Sequence, residues 1–159
     1  MRIGEIAIVG ANAEEERAFV RSIADTVDVQ NERLTFGQYH INDQLLLHLY
    51  GISLQEDENA ISWDLISAKL LGFVVLFRWG DVESFRRCQK LVDTLINRYD
   101  AVVVVAGHTE GRIPPLPAAF DLGIPIDKHG SFIFCNVHDP DSVRKVLIAL
   151  VDLILDQIS

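Results

Sequence analysis

The sequence predicts a single α/β domain over residues 1–159, built as a three-layer sandwich around a six-stranded, mostly parallel sheet with one antiparallel edge strand. Short apolar runs alternate along the chain with amphipathic helical patterns, which is typical of α/β folds. The runs GFVVLF (72–77) and AVVVV (101–105) lack polar alternation, as expected of parallel strands buried on both faces. A chain of 159 residues is long enough for one core and too short for two ordinary domains.

Six segments have the composition and boundaries of strands. They span residues 3–10, 34–41, 44–51, 72–79, 101–107 and 131–137. Only Asn42 and Asp43 separate the second segment from the third, which suits a two-residue hairpin turn and makes that pair antiparallel. The other connections are long enough for helical crossovers.

Helical periodicity fills those connections. Residues 14–27 and 82–99 each place apolar side chains on one face, and residues 59–72 form a further helical segment that contains Trp63. The last helix is predicted to follow Asp139 as N-cap and Pro140 at the first helical position, with a wide apolar stripe beyond them. It is expected to pack on the sheet.

Composition excludes several classes of function. A net charge of -9 and a pI near 4.9 argue against nucleic acid and anionic lipid as partners. No apolar stretch reaches the ~20 residues of a membrane helix, and the start shows no signal peptide, so a cytoplasmic domain is predicted.

Cysteine and histidine spacing gives no metal or redox motif. Cys88 and Cys135 match no metal or redox spacing and are expected to be buried thiols. The five histidines, His40, His48, His108, His129 and His138, are scattered without metal-binding spacing, and no metal or cofactor is predicted.

Several short motifs occur in the order of a known family. "AIVG" ends the first strand, "LHLYGISLQ" ends the third, "ESF" opens a helix and "FCNVHDPDSVRKVL" leads into the last helix. In this order the chain resembles a Ras-type small GTPase, and within that superfamily it is most similar to the bacterial gliding-motility (Mgl-type) branch. The resemblance covers nearly the whole chain as architecture. It implies Ras-like topology, GTP or GDP with magnesium as the family's ligand, and a Roadblock/longin-type regulator as a possible partner.

The phosphate-binding motif of that family is degenerate here. The pattern G-x-x-x-x-G-K-[ST] uses glycine to let backbone N–H groups close on the phosphates, lysine to balance their charge and a hydroxyl to hold magnesium. Gly10 fits, but Glu15 replaces the second glycine, Glu16 the lysine and Arg17 the hydroxyl residue. A carboxylate about 4 Å from a phosphate charge costs on the order of 4 kcal/mol at an effective dielectric of ~20. Conventional GTP binding is therefore predicted to be lost or greatly weakened.

The same glutamates suit the start of a helix. Asn12 with Glu15 three residues later has the pattern of an N-cap and capping box, and acidic residues favour the first helical turn. Glu14, Glu15 and Glu16 would then replace the anion. Alternatively, they are a solvated, well-capped helix start in an unrelated α/β protein. Divalent cation binding together with residues 56–58 is a weaker alternative, because consecutive acidic residues point to different sides of a helix.

Other family positions match in part. Gly51 and Gln55 align with the family's "LFGTPGQ", but Leu54 replaces the glycine whose amide would face the terminal phosphate. Gln55 would orient water in a working GTPase and is otherwise an exposed loop residue. At the guanine-reading "NKxD", the chain has Gly107, His108 and Glu110. Glu110 could accept from a guanine edge, although a plain turn is favoured.

Two tryptophans are candidate interface residues. Trp63 lies on the segment that corresponds to the second switch helix, where it either contacts a partner or packs in the core. Trp79 ends the fourth predicted strand and is expected to cover the emptied pocket.

The predicted function is a catalytically inactive small-GTPase-like domain, a pseudo-GTPase that serves as a protein-interaction or scaffold module. The alternative is a divergent nucleotide-binding protein or slow GTPase that uses Arg17, Glu110 and Gln55 in unfamiliar roles. A third hypothesis is an obligate homodimer that uses the switch-side surface.

Overall fold

The computed structural model describes residues 2–10, 12–30, 32–53, 70–99, 101–111, 124–127 and 130–158. Over these residues it contains eight strands and three helices. In chain order they are β1 (Arg2–Gly10), α1 (Ala13–Ile23), β2 (Thr26–Val29), β3 (Leu34–Asn42), β4 (Leu45–Ser53), β5 (Gly72–Arg78), α2 (Val82–Tyr99), β6 (Val103–His108), β7 (Ile124–Asp127), β8 (Gly130–Cys135) and α3 (Pro140–Ile158).

All eight strands form one mixed sheet in the order β2-β3-β4-β1-β5-β6-β8-β7. The five strands from β4 to β8 in that order are parallel, whereas β2, β3 and β7 join by antiparallel pairing. The predicted α/β class, the parallel centre and the antiparallel hairpin are therefore confirmed. The predicted strand count is wrong, because β2 and β7 lie outside the six expected strands and form the two edges.

Strand β2 replaces the end of the first predicted helix. Helix α1 stops at Ile23, where the N–H of Ala24 bonds to the carbonyl of Val20 at 2.9 Å, and the next residues turn to pair with β3. All four residues of β2 are exposed, so no buried face gives the strand an apolar pattern. Its β-branched residues complete the open edge that the hairpin leaves.

The hairpin turn lies one residue later than predicted. Asn42 is the last residue of β3, and the turn consists of Asp43 and Gln44. The side-chain oxygen of Asn42 accepts hydrogen bonds from the backbone N–H groups of Gln44 at 2.8 Å and Leu45 at 3.0 Å. A bulge between His40 and Asn42 absorbs the shift in register.

The helices cover both faces of the sheet and complete the three layers. Helices α1 and α3 pack on one face, where the core includes Phe19, Leu147 and Leu150, and α2 covers the other face. Asp139 caps α3 as predicted, accepting from the N–H of Asp141 at 3.1 Å. None of the described helices is long and apolar enough to cross a bilayer.

Both cysteines are buried free thiols, as predicted. Burial raises the pKa of Cys88 and of Cys135 to about 12. Neither forms an appreciable thiolate at neutral pH, so both side chains act as apolar packing groups.

Candidate functional site

The candidate site begins where β1 leads into α1, at the carboxyl end of a central strand. Asn12 is the N-cap, with an extended backbone at φ -124°, and its side-chain oxygen accepts from the N–H of Glu14 at 3.0 Å. The carbonyl of Asn12 accepts from the N–H groups of Glu15 at 3.0 Å and Glu16 at 3.3 Å. The predicted cap is confirmed, and Asn12 satisfies the N–H groups of Glu14 and Glu15, two of the donors that a helix start leaves open.

The predicted capping box is wrong, because the carboxylate of Glu15 faces Arg78 at the end of β5. Arg78 places its Nε and its Nη2 each 2.9 Å from Oε1 of Glu15. The carboxylate is 8% exposed and the guanidinium 54%. The hydrogen bond that Arg78 donates to Glu15 raises the pKa of Arg78. This pair ties the start of α1 to the neighbouring strand end.

Glu16 is buried and uncharged for most of the population at neutral pH. Its side chain is fully buried, and neither carboxyl oxygen has a hydrogen-bond partner among the described residues. Burial, with a smaller contribution from the charge of Glu15, raises its pKa to about 8. At pH 7 about nine-tenths of Glu16 is protonated. The expectation that all three glutamates act as a charged replacement for an anion is therefore wrong for Glu16; Glu14 alone of the three is exposed.

The carboxyl group of Glu16 fills the space beside Gly10. A Cβ added to Gly10 would collide with Oε1 of Glu16 and would also lie 3.1 Å from the carbonyl oxygen of Leu76. A phosphate loop needs its backbone N–H groups and a lysine around an open seat. Here an acid occupies that position, so the residues present do not fit a nucleotide phosphate.

Arg17 does not fit the role of a magnesium ligand. Its Nε lies 3.4 Å from Oγ1 of Thr35, and its Nη2 lies 3.5 Å from the carbonyl oxygen of Glu32. The side chain thus extends toward the β2–β3 connection. A guanidinium offers donors only and has no lone pair for a cation.

A second cluster, the His108–Glu110–His138 cluster, lies beyond the ends of β6 and β8. Nε2 of buried His108 is 3.6 Å from Oε1 of Glu110, and Nε2 of exposed His138 is 3.4 Å from the same oxygen. The N–H of Val137 donates to Nδ1 of His108 at 3.2 Å. The segments that follow β6 and β8 therefore bring together side chains that the sequence separates by 30 residues.

The protonation of His108 limits what this cluster can bind. The three ligand atoms lie within 4.8 Å of one another, close enough to meet at one ion. However, Nδ1 of His108 uses its lone pair to accept from the N–H of Val137, so the tautomer that fits this bond has its N–H at Nε2. That nitrogen has no lone pair for a metal. The geometry favours a polar cluster in which the carboxylate of Glu110 lies beside two imidazole rings, rather than a metal site.

Gly107, at the position of the family's asparagine, makes room for aromatic packing. A Cβ there would lie 3.1 Å from Cζ of Phe132 and 3.2 Å from Cζ of Phe77. An asparagine side chain would displace these rings.

Trp79 joins this aromatic group. Its ring centroid is 4.7 Å from that of Phe134, and half of the residue is exposed. The expectation that Trp79 covers the pocket beside Gly10 is wrong, because the ring packs on β8.

Gly51 has a packing role between α1 and β4. A Cβ there would lie 3.2 Å from Cγ2 of Val20 and 3.3 Å from the carbonyl oxygen of Glu16. This close approach, rather than a phosphate, accounts for glycine at the position. Leu54, Gln55 and Trp63 lie outside the described residues, as do the acidic residues 56–58 and the helix predicted over 59–72 as far as residue 69. The last three residues of that prediction are described and are not helical, and Gly72 begins β5.

A scan against protein-family models finds none that matches this sequence, and a search of curated proteins finds no match either. The resemblance to small GTPases thus depends on the quoted motifs and on the order of the elements. Function has to be argued from the side chains.

Proposed function

We propose that this protein is a pseudo-GTPase: a small-GTPase-like domain that does not bind guanine nucleotide in the manner of the family and that acts as a protein-interaction module. The observation that carries the proposal is the buried carboxyl of Glu16 beside Gly10. The sheet gives further support. Without the two edge strands β2 and β7, the remaining six strands form a mostly parallel sheet with one antiparallel edge, as the resemblance predicts.

Occupied space and the missing lysine are the main factors that oppose nucleotide binding. Because Glu16 is mostly protonated at pH 7, its repulsion of a phosphate is smaller than that of a full carboxylate charge. A lysine would add a positive charge, whereas Glu15 and Arg78 neutralise each other across 2.9 Å. A nucleotide would have to displace Glu16 and compete with Glu15 for Arg78, and both changes oppose binding.

Thermal unfolding with nucleotide tests the proposal. A ligand at 100 times its Kd stabilises the folded state by about 2.7 kcal/mol, which raises the Tm of a domain of this size by roughly 5–10 °C. We expect no shift with GDP, GTP or ATP in the presence of magnesium, measured against magnesium alone. A clear rise at micromolar nucleotide would refute the pseudo-GTPase and favour the divergent nucleotide-binding protein.

A restored variant provides the positive control. Glu15→Gly, Glu16→Lys and Arg17→Thr together return the three family residues to the loop. We expect this variant to give a measurable heat with GDP in isothermal titration calorimetry while the native chain gives none. An absence of heat from the folded variant would count against a small-GTPase-like loop at this place.

An exposed apolar patch supports the interaction role. Trp79, Val82 and Phe85 lie close in sequence at the end of β5 and the start of α2, with 50%, 67% and 42% exposure. The rings of Trp79 and Phe85 both lie near the ring of Phe77, at centroid distances of 6.3 Å and 5.3 Å. Tryptophan and phenylalanine are frequent anchors of protein interfaces. A Roadblock/longin-type regulator is the partner that the resemblance implies. Size-exclusion chromatography with light scattering, alone and with such a regulator, distinguishes this partner from homodimerisation, and Trp79→Ser should weaken whichever contact uses the patch.

A further inference from the structure

A second site lies at the other end of the sheet, where β1 begins and α3 ends. A cavity of about 620 Å³ opens there, and ligand pockets commonly have volumes of 300–1,000 Å³. Its wall is formed mainly by aliphatic side chains from β1, β4 and α3 and from the residue before β5: Ile3, Ile6, Leu45, Leu47, Leu71, Val151, Ile154 and Leu155. None of the described lining residues is aromatic, so the wall suits a flexible aliphatic chain better than a flat ring.

Gly4 deepens this cavity. It lies inside β1, where glycine weakens a strand and often marks a close approach of another group. A Cβ at Gly4 would lie 2.9 Å from Cδ1 of Leu71 and 3.3 Å from Cδ2 of Leu47, two residues of the wall. Any side chain at this position would therefore press on two residues of the cavity wall.

The polar residues that line the cavity indicate which chemical group could bind beside its aliphatic wall. Arg2 is the only charged residue among the described lining residues, and no described residue forms an ion pair with it. Asn42 and Gln44 also line the cavity. Since Oδ1 of Asn42 already accepts two backbone hydrogen bonds, its NH₂ group is left to donate. Cationic and amide donors beside an aliphatic wall match a carboxylate with a hydrocarbon tail.

We propose that this cavity binds a free fatty acid, with its tail against the aliphatic wall and its carboxylate at Arg2. The net charge of -9 disfavours docking of the same surface on an anionic bilayer, and Arg2 provides the local positive charge that offsets this general repulsion for a single carboxylate. The site is independent of the pseudo-GTPase proposal, because it lies at the amino ends of the parallel strands and shares no residue with the Gly10 loop.

The experiment is isothermal titration calorimetry of the full chain with octanoate, decanoate and dodecanoate at pH 7, below their micelle concentrations. Burial of each added methylene should tighten binding by about fourfold until the cavity is filled. 1-Decanol tests the head group: it should bind more weakly than decanoate, and Arg2→Gln should abolish that difference. Arg144→Gln, an exposed change at the far end of α3, is the matched control and should leave both affinities unchanged.

Two variants close the cavity in different ways. Gly4→Leu adds a side chain at the wall, where its Cβ would displace Cδ1 of the half-exposed Leu71 and would lie 3.3 Å from Cδ2 of the buried Leu47. Leu71→Asp instead places a carboxylate on the wall. Each variant should weaken decanoate binding by more than tenfold while its circular dichroism remains that of a folded chain. Leu71→Asp provides the test if Gly4→Leu does not fold.

Three results would overturn the proposal. One is decanoate affinity that survives both variants. Another is affinity that does not change with chain length. The third is binding heat that coincides with dissociation of a dimer in light scattering, since the cavity would then be covered by a second copy of the chain.

Discussion

Protonation of Glu16 makes the stability of the protein depend on pH. Its pKa is about 8 in the folded chain, compared with an ordinary value of 4.5. The folded state therefore holds a proton that the unfolded state releases, so stability is greatest below pH 4.5 and falls as the pH rises toward 8. Each unit of difference between the folded and unfolded pKa is worth about 1.36 kcal/mol, so the protonation of Glu16 changes the free energy of unfolding by about 5 kcal/mol in all. Between pH 5 and pH 9 the expected loss is about 4 kcal/mol, a large share of the 5–15 kcal/mol that stabilises a typical domain.

Glu16→Gln removes this dependence, because glutamine has nearly the same size and does not titrate. The free energy of unfolding from urea titrations at pH 5, 7 and 9 should fall less steeply with pH in the variant than in the native chain. The free energy of unfolding of the variant, relative to that of the native chain, should rise by about 4 kcal/mol between pH 5 and pH 9. Glu14→Gln, an exposed change on the same helical turn, is the control and should follow the native chain. If Glu16→Gln also runs parallel to the native chain, Glu16 is not a buried, protonated acid and the account of the loop fails.

Three further substitutions test the packing around the site. Arg78→Met leaves the buried carboxylate of Glu15 without its partner and should lower the free energy of unfolding by about 1–3 kcal/mol in urea titrations; no loss would show that the ion pair contributes nothing. Gly107→Asn should cost about 1–3 kcal/mol by displacing two phenylalanine rings. Gly111→Asn should not, because among the described residues the nearest atom to a Cβ at Gly111 is Oγ1 of Thr109 at 3.8 Å; equal Tm values would contradict this packing. Asn12→Ala removes the N-cap and should lower stability by about 1 kcal/mol, whereas an unchanged urea midpoint would contradict its capping role.

The elements that the sequence predicted well are those with a strong local pattern. Helix α2 spans Val82–Tyr99 as expected, because its apolar residues recur at helical spacing along 18 residues. Strands β2 and β7 have four residues each. Strand β2 is fully exposed, and β7 contains Pro125. Neither therefore has the apolar alternation by which a strand is recognised, and their place depends on the open edges of a sheet that forms elsewhere.

The site was less predictable because its contacts join distant segments. His108 and His138 have no metal spacing in sequence, yet β6 and β8 are adjacent parallel strands with His108 paired to Cys135. The carboxyl ends of β6 and β8 therefore lie side by side, and the pairing of these two strands was the feature that could have predicted the contact. A second signal was present in the glutamates. Glu16 lies three and four residues before Phe19 and Val20, so helical spacing puts it on the apolar face of α1.

The three consecutive glutamates thus have three different environments, and this decides what the loop can do. Glu14 is solvated, Glu15 is neutralised by Arg78 and Glu16 retains a proton. Three carboxylate charges within one helical turn would repel one another. The proton on Glu16 and the guanidinium of Arg78 remove most of that repulsion. The start of α1 is consequently capped by Asn12, and the space beside Gly10 is filled by the side chain of Glu16. A ligand that sought this position would have to displace packed side chains before it gained any contact with the backbone, which is why a change of pH affects the loop more directly than an added anion.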